Sequence, residues 1–286
     1  MAPMIESSPP TPPEPRVTFI RPPNRWAAFE MGELWAYRDL LLILTGRNLK
    51  LRYKQTALGV IWVVLQPLIA SLIFAVVFGG FAQLPTDGSP YLLFAFAGTI
   101  AWNLVSNSIT RAGNSLVGDS NLISKVYFPR MIIPMASIAA VVVDFLISLV
   151  VMGILLVLYR QPLTPALFTL PFFVLLALIL SLGLSLLISA LNVYYRDFSY
   201  ILPFAMQVWM YASPVAYSAS IVPEQWQALY SLNPMVGIIL GFRWALLGEI
   251  AFPTFPLLVS VIASIAFLLI GALVFQRVQQ SFADVI

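Results

Sequence analysis

Four polar side chains, Asn103, Ser106, Asn107 and Thr110, stand at i, i+3, i+4 and i+7. On a helix that spacing gathers them on one face. The run that holds them, 88–110, carries no charge. Polar groups in such a run seek protein partners or water. A lone carboxylate, Asp144, interrupts another apolar run, about 20 Å along a helix that begins at Met131. In hydrocarbon an Asp costs roughly 2.5–3.5 kcal/mol. The stripe and Asp144 are therefore expected to face each other. Interhelical hydrogen bonding and a proton or ion relay are both open readings. A carboxylate without a charged intramembrane partner makes a poor relay, which favours the first. A second stripe, Tyr200, Phe204, Gln207 and Tyr211, follows at i, i+4, i+7 and i+11. Aromatic faces stack on the C–H faces of sugars, and the hydroxyls and amide hydrogen-bond, so such a row can form a sliding path for a polymer. Packing or an interfacial aromatic belt is the competing reading.

Other chemistries are poorly served. The chain has no Cys and no His, so thiolate metal sites, disulfides and the commonest general base are absent. Its 12 acidic residues are scattered, and the loops expected on one side between spans offer only Asp119 and Asp197, on different loops. A membrane glycosyltransferase acting on a polyprenyl phosphate needs carboxylates, often paired, for metal or acid–base work. An ion-gradient carrier or channel lacks paired intramembrane charges here. None of the 15 glycines is followed by Lys, so a P-loop is missing. ATP-driven work would need a partner chain.

The elements that position these residues follow from composition. Hydrophobic residues make up 60% of the 286-residue chain and charged ones 9%, and mean hydropathy is +0.91. This predicts an all-α polytopic membrane protein. Runs 55–86, 88–110, 131–159, 161–195, 198–223 and 250–276 give about six transmembrane helices. Run 225–242 is broken by Asn233-Pro234 into pieces too short to span, which predicts re-entrant helices before the last span, with a seventh span as the alternative. With the N-terminus in the cytoplasm, 13 of the 15 basic residues fall inside, and Arg160 and Arg243 fall outside. Both termini are then cytoplasmic. Residues 1–33 carry eight of the 22 prolines and read as a disordered cytoplasmic tail. No cleavable signal peptide is expected there. Residues 34–56 read as an amphipathic interface helix. Ile43, Arg47, Lys50 and Lys54 share one face, and Tyr37, Leu41, Leu44 and Leu51 another. Arg47, Arg52 and Lys54 are candidate contacts for a lipid diphosphate headgroup. Arg196 and Asp197 are expected as an interfacial anchor and a helix cap.

Four blocks carry a resemblance. Arg52-Tyr53-Lys54-Gln55-Thr56-Ala57-Leu58-Gly59-Val60-Ile61-Trp62, followed by Gln66-Pro67-Leu68, resembles the start of ABC-2 type permeases that export polysaccharides. Asn121-Leu122-Ile123-Ser124-Lys125-Val126-Tyr127-Phe128-Pro129-Arg130 resembles their cytoplasmic loop. Asn192-Val193-Tyr194-Tyr195-Arg196-Asp197 and Ser231-Leu232-Asn233-Pro234-Met235 are similar to two later segments, in the same order. The most similar branch is that of O-antigen and teichoic acid exporters, and capsule exporters are similar too. The resemblance makes 57–286 an ABC-2 type transmembrane domain in a bacterial inner membrane. It implies a homodimer with a second copy, two separate ATP-binding subunits that hold ATP and Mg, and a polyprenyl diphosphate-linked glycan as substrate. No cofactor in this chain and no nucleic acid are expected.

Within that resemblance, 111–130 is the expected contact for the ATPase. Asp119 or Ser120 would cap a short helix, and Leu122, Ile123 and Val126 would present an apolar ridge to a groove in the partner. Lys125, Tyr127 and Phe128 continue this surface, Pro129 ends the helix, and Arg130 is expected at the headgroup level.

Overall fold

The computed structural model describes residues 31–54, 59–86, 88–248, 251–279 and 282. The expected tail at 1–30 lies outside the described residues. Among the described residues eleven α-helices follow one another: α1 (Met31–Ala36), α2 (Arg38–Tyr53), α3 (Gly59–Phe74), α4 (Tyr91–Gly118), α5 (Ser120–Lys125), α6 (Ile132–Leu158), α7 (Leu170–Tyr194), α8 (Phe198–Tyr211), α9 (Glu224–Ser231), α10 (Pro234–Leu247) and α11 (Thr254–Val278). α3 continues as a wider π-helical turn, Ala75–Phe81, and a 3₁₀ segment, Pro165–Thr169, leads into α7. Among the described residues no strand occurs, and five helical stretches are long and apolar enough to cross a bilayer. The chain is an all-α polytopic membrane protein.

α4 is the central pillar. Its spanning window is 78% buried, against 11% for α3 and 22% for α11, so those two helices present their apolar sides outward. α4 packs on α6 and α7, and α7 packs on α11. Small residues permit the closest approach: a Cβ on Gly271 would lie 2.1 Å from the carbonyl oxygen of Gly183. Without a hydrophobic driving force between helices in lipid, such backbone contact carries much of the packing. One apolar cluster joins α4, α6, α7 and α10. A second gathers Leu44 of α2, Ile123 of α5, Phe128, Ile132 and Ile133, and Phe275 and Phe282, at the end of the bundle where α5 sits.

Three expectations change here. Run 198–223 does not form one long helix. α8 stops at Tyr211 after 14 residues, about 21 Å, which is short of the roughly 30 Å hydrocarbon core. Pro214 removes a donor and disfavours helix at Ser213, and the chain turns away. The amphipathic helix is broken at Tyr37 into α1 and α2. Its Tyr37, Leu41 and Leu44 side packs against protein, and Leu51, read on the same face, is exposed. Residues 111–118 are not loop either, since α4 continues to Gly118. The re-entrant reading of 225–242 agrees with two short helices, α9 and α10, that meet at Asn233.

Replacing Gly271 by Ala is expected to overpack the α7–α11 crossing, at about 1–3 kcal/mol, and to lower the melting temperature in detergent. Gly153→Ala, with nothing within 4 Å of the added carbon, serves as the control and should leave it unchanged.

Candidate functional site

Asp144 lies twelve residues into α6, about 18 Å along its axis. It has the charged partner that the sequence did not reveal. Arg52, in the last turn of α2, forms an ion pair with it, and Tyr53 Oη donates a hydrogen bond at 2.5 Å. Both side chains of the pair are mostly buried, 17% and 14% exposed. Burial pushes the Arg52 guanidinium below its ordinary value, and the neighbouring Tyr53 offsets part of that shift. The pair fixes the course of α2. Leu44 sits near Ile132, Ile133 and Ala136, and Arg52 reaches Asp144, so α2 runs alongside the first half of α6.

Two cavities open beside this pair. The inner one, about 220 Å³, is lined by Arg52, Tyr53, Asn103, Asn107, Arg111 and Asp144 among others. The expected meeting of the polar stripe with Asp144 is therefore present for Asn103 and Asn107. Ser106 is buried on another side, and Thr110 is half-buried. The outer cavity, about 390 Å³, shares Arg52 and Arg111 and adds Arg47, Asn48 and Asp119. Arg47 pairs with Asp119 at 2.5 Å. Of the three cations read as headgroup contacts, Arg47 and Arg52 are thus held by carboxylates, and Lys54 is exposed.

The α5 segment forms the predicted short helix but turns a different face outward. Asp119 precedes it without a side-chain cap, because its carboxylate is taken by Arg47. Ile123 and Phe128 are buried in the second apolar cluster, and Leu122 packs against it. Asn121, Lys125, Val126 and Tyr127 are exposed. The expected ridge of Leu122, Ile123 and Val126 is therefore split, with two members pinned inward. Pro129 follows the helix, and Arg130 donates to the Gln279 carbonyl and stacks on Phe282, tying the loop to the end of α11. Arg196 and Asp197 are exposed, and Asp197 makes no side-chain cap on α8.

α8 carries the aromatic stripe as one exposed face. Tyr200, Phe204 and Tyr211 are 84%, 68% and 65% exposed, and Gln207 is exposed between them. An amide knot anchors the base of this helix. Asn192 donates to the Gly113 carbonyl and to Asn114 Oδ1, and Ser199 donates to Asn114 Oδ1 at 2.8 Å. At its other end, Trp209 Nε1 donates to Asn233 Oδ1 at 2.9 Å, and Asn233 donates to the Ala212 carbonyl. Asn233 Oδ1 also accepts from the Met235 backbone N–H and caps α10.

Arg243, one of the two basic residues read as lying outside, is fully buried inside α10. It donates to the carbonyls of Phe94, Val215 and Tyr217 and lies 3.4 Å over the Phe94 ring. Gly98 leaves room for this, since a Cβ there would come 2.5 Å from the Val215 carbonyl oxygen. The turn after α8, the head of α4 and the re-entrant helix are thereby clipped together. Sequence reasoning missed Arg243, Asn114 and Ser199 in these roles. The available signal was a polar side chain isolated in an apolar run. Arg243→Met is expected to speed amide hydrogen exchange across 213–218 by tenfold or more, while α6 exchange stays unchanged; the estimate takes about 1.5–3 kcal/mol per charged hydrogen bond.

The ABC-2 type transporter family matches residues 39–247. The O-antigen export system permease protein RfbA of Klebsiella pneumoniae is 26% identical over 261 residues, covering 90% of this chain and 98% of that protein. The protein of the same name from Myxococcus xanthus is 29% identical, covering 88% and 97%. The inner membrane transport permease YadH of Escherichia coli (strain K12) is 27% identical, covering 76% and 89%. With a match that spans α2 to α10 and so takes in the ion pair, the α5 segment and the re-entrant helices, the chain belongs to the ABC-2 type transporter family of membrane transport subunits.

Proposed function

We propose that this chain is the membrane permease of an ATP-driven exporter that moves a lipid-linked polysaccharide, of O-antigen, teichoic acid or capsule type, out across a bacterial inner membrane. The observation that carries this reading is similarity along 97–98% of two proteins named as O-antigen export permeases. The placement of basic residues supports cytoplasmic termini, with α5 on the cytoplasmic side. Two copies of the chain and two separate ATP-binding subunits would complete the transporter, and ATP and Mg would bind those subunits.

Each part of the chain has a task in this scheme. Asn121, Lys125, Val126 and Tyr127 offer an exposed polar-aromatic surface for an ATPase groove, and Ile123 and Phe128 root it in the bundle. Movement of α5 would reach α2 through Arg47–Asp119 and α11 through Arg130. A rigid segment transmits such motion as a body. The exposed face of Tyr200, Phe204, Gln207 and Tyr211, with Asn103 and Asn107 on α4, supplies sugar-stacking platforms and hydrogen bonds along a path between two copies.

Two outcomes are expected. Co-purification with an ATP-binding subunit should yield a complex whose ATP hydrolysis rises when a polyprenyl diphosphate-linked glycan is added. Gradient-driven glycan movement without any ATPase would overturn the proposal. In the same complex, Tyr127→Ala with Val126→Ser should cut ATPase retention severalfold, whereas Phe204→Ala with Tyr211→Ala should keep the complex whole and slow export from vesicles.

A further inference from the structure

The cavity walls hold more positive charge than their carboxylates answer. In the inner cavity Asp144 is engaged by Arg52 and Tyr53, and in the outer cavity Asp119 is engaged by Arg47. Arg111 lines both cavities. It makes no hydrogen bond or ion pair among the described residues. Its guanidinium is exposed on the cavity wall, where water or an anion can take its donors. Its surroundings are built to receive an anion. Asn103, Asn107 and Gln66 bring amide donors to the same wall, and Arg52 adds a second guanidinium.

We propose that Arg111, with Arg52 and the Asn103 and Asn107 amides, forms a binding site for a phosphate or diphosphate group carried on a lipid. Three features select this chemistry. A planar guanidinium matches phosphate oxygens bidentately, and a second one nearby suits a dianion better than a carboxylate. The inner cavity, about 220 Å³, admits a diphosphate. Gln66, Asn107 and Arg111 are exposed, and Trp62 beside them is 51% exposed, so the cavity opens on the surface between α3 and α4. There a headgroup enters while its hydrocarbon stays outside along the apolar, outward-facing side of α3. Asp144 limits affinity: it competes with the anion for Arg52, so the site releases its ligand when Arg52 returns fully to Asp144. That the occupant is the diphosphate of the exported carrier lipid rests on the function proposed above; the anion site itself rests on the cavity.

Binding to the full chain in phosphatidylcholine nanodiscs tests this, with no ATPase required. The probes are polyprenyl diphosphate, the uncharged polyprenol, phosphatidylglycerol and inorganic diphosphate. Saturable binding of polyprenyl diphosphate, absent for polyprenol, is expected. Arg111→Gln should weaken it about tenfold, the loss of one bidentate contact. Arg111→Lys, which keeps the charge but loses the bidentate fork, should fall between the unaltered chain and Arg111→Gln. Asn107→Asp, on an exposed position that the fold tolerates, should weaken it as much as Arg111→Gln and guards against a folding defect in the latter. Equal binding of phosphatidylglycerol or inorganic diphosphate, with the same dependence on Arg111, supports the anion site and removes the carrier lipid as its dedicated ligand. Unchanged affinity in both Arg111→Gln and Asn107→Asp, or no anion binding by the unaltered chain, overturns the inference.

Discussion

A carboxylate about 18 Å along a membrane helix has to be paired, and Asp144 sets the terms for much of this fold. Breaking a buried pair by removing one member costs about 3–5 kcal/mol, since the charge left behind stays in a poor solvent. Arg52 supplies the counter-charge, and Tyr53 adds a hydrogen bond. Because both lie in the last turn of α2, that helix is held alongside α6. This placement leaves two polar cavities between α2, α3, α4 and α6. It also brings Arg47 within reach of Asp119, which ties α2 to the segment that ends α4 and begins α5.

The opposite end of the bundle is governed by carbonyl groups rather than carboxylates. α8 ends early, and the turn that follows exposes backbone acceptors that no helix satisfies. Arg243 answers the Val215 and Tyr217 carbonyls from inside α10, and Asn233 answers Ala212. Non-helical backbone at membrane depth is tolerated only where protein covers it. The re-entrant helices α9 and α10 provide that cover. Between the two ends, α8 turns its aromatic face outward, while α4 remains buried on most sides. A path for a sugar polymer would thus run over a surface held at one end by the amide knot of Asn114, Asn192 and Ser199, and at the other by Asn233.

What could be read from the sequence was local or additive. Long charge-free runs identified the spanning helices, because span length depends on composition over roughly 20 residues. Asn233-Pro234 marked the join of α9 and α10, because Pro acts on its immediate neighbour. The helix after Asp119 was legible for the same reason. Non-local pairings were not. Arg52 reads as one more interfacial cation until α6 is folded beside it, and Asp144 then reads as unpartnered. The inward turn of Ile123 was hidden, since a six-residue helix has too few positions to show which apolar side chain meets the core. α8 was overestimated because 212–223 is as free of charge as a span, although Pro214 and the serines around it terminate the helix. Arg243 stood out as a lone cation in an apolar stretch, but the carbonyls that satisfy it lie far away in the chain and could not be read from its neighbours.

A double-mutant cycle on Arg52 and Asp144 tests the central constraint most directly. Unfolding free energies would be compared in one detergent for the unaltered chain, Arg52→Met, Asp144→Leu and the double variant. The account predicts that each single change costs about 3–5 kcal/mol and that the double variant regains most of the loss, since two apolar side chains leave no orphaned charge. Losses that simply add would contradict it, because Arg52 and Asp144 would then act independently and α2 would owe its position to something else.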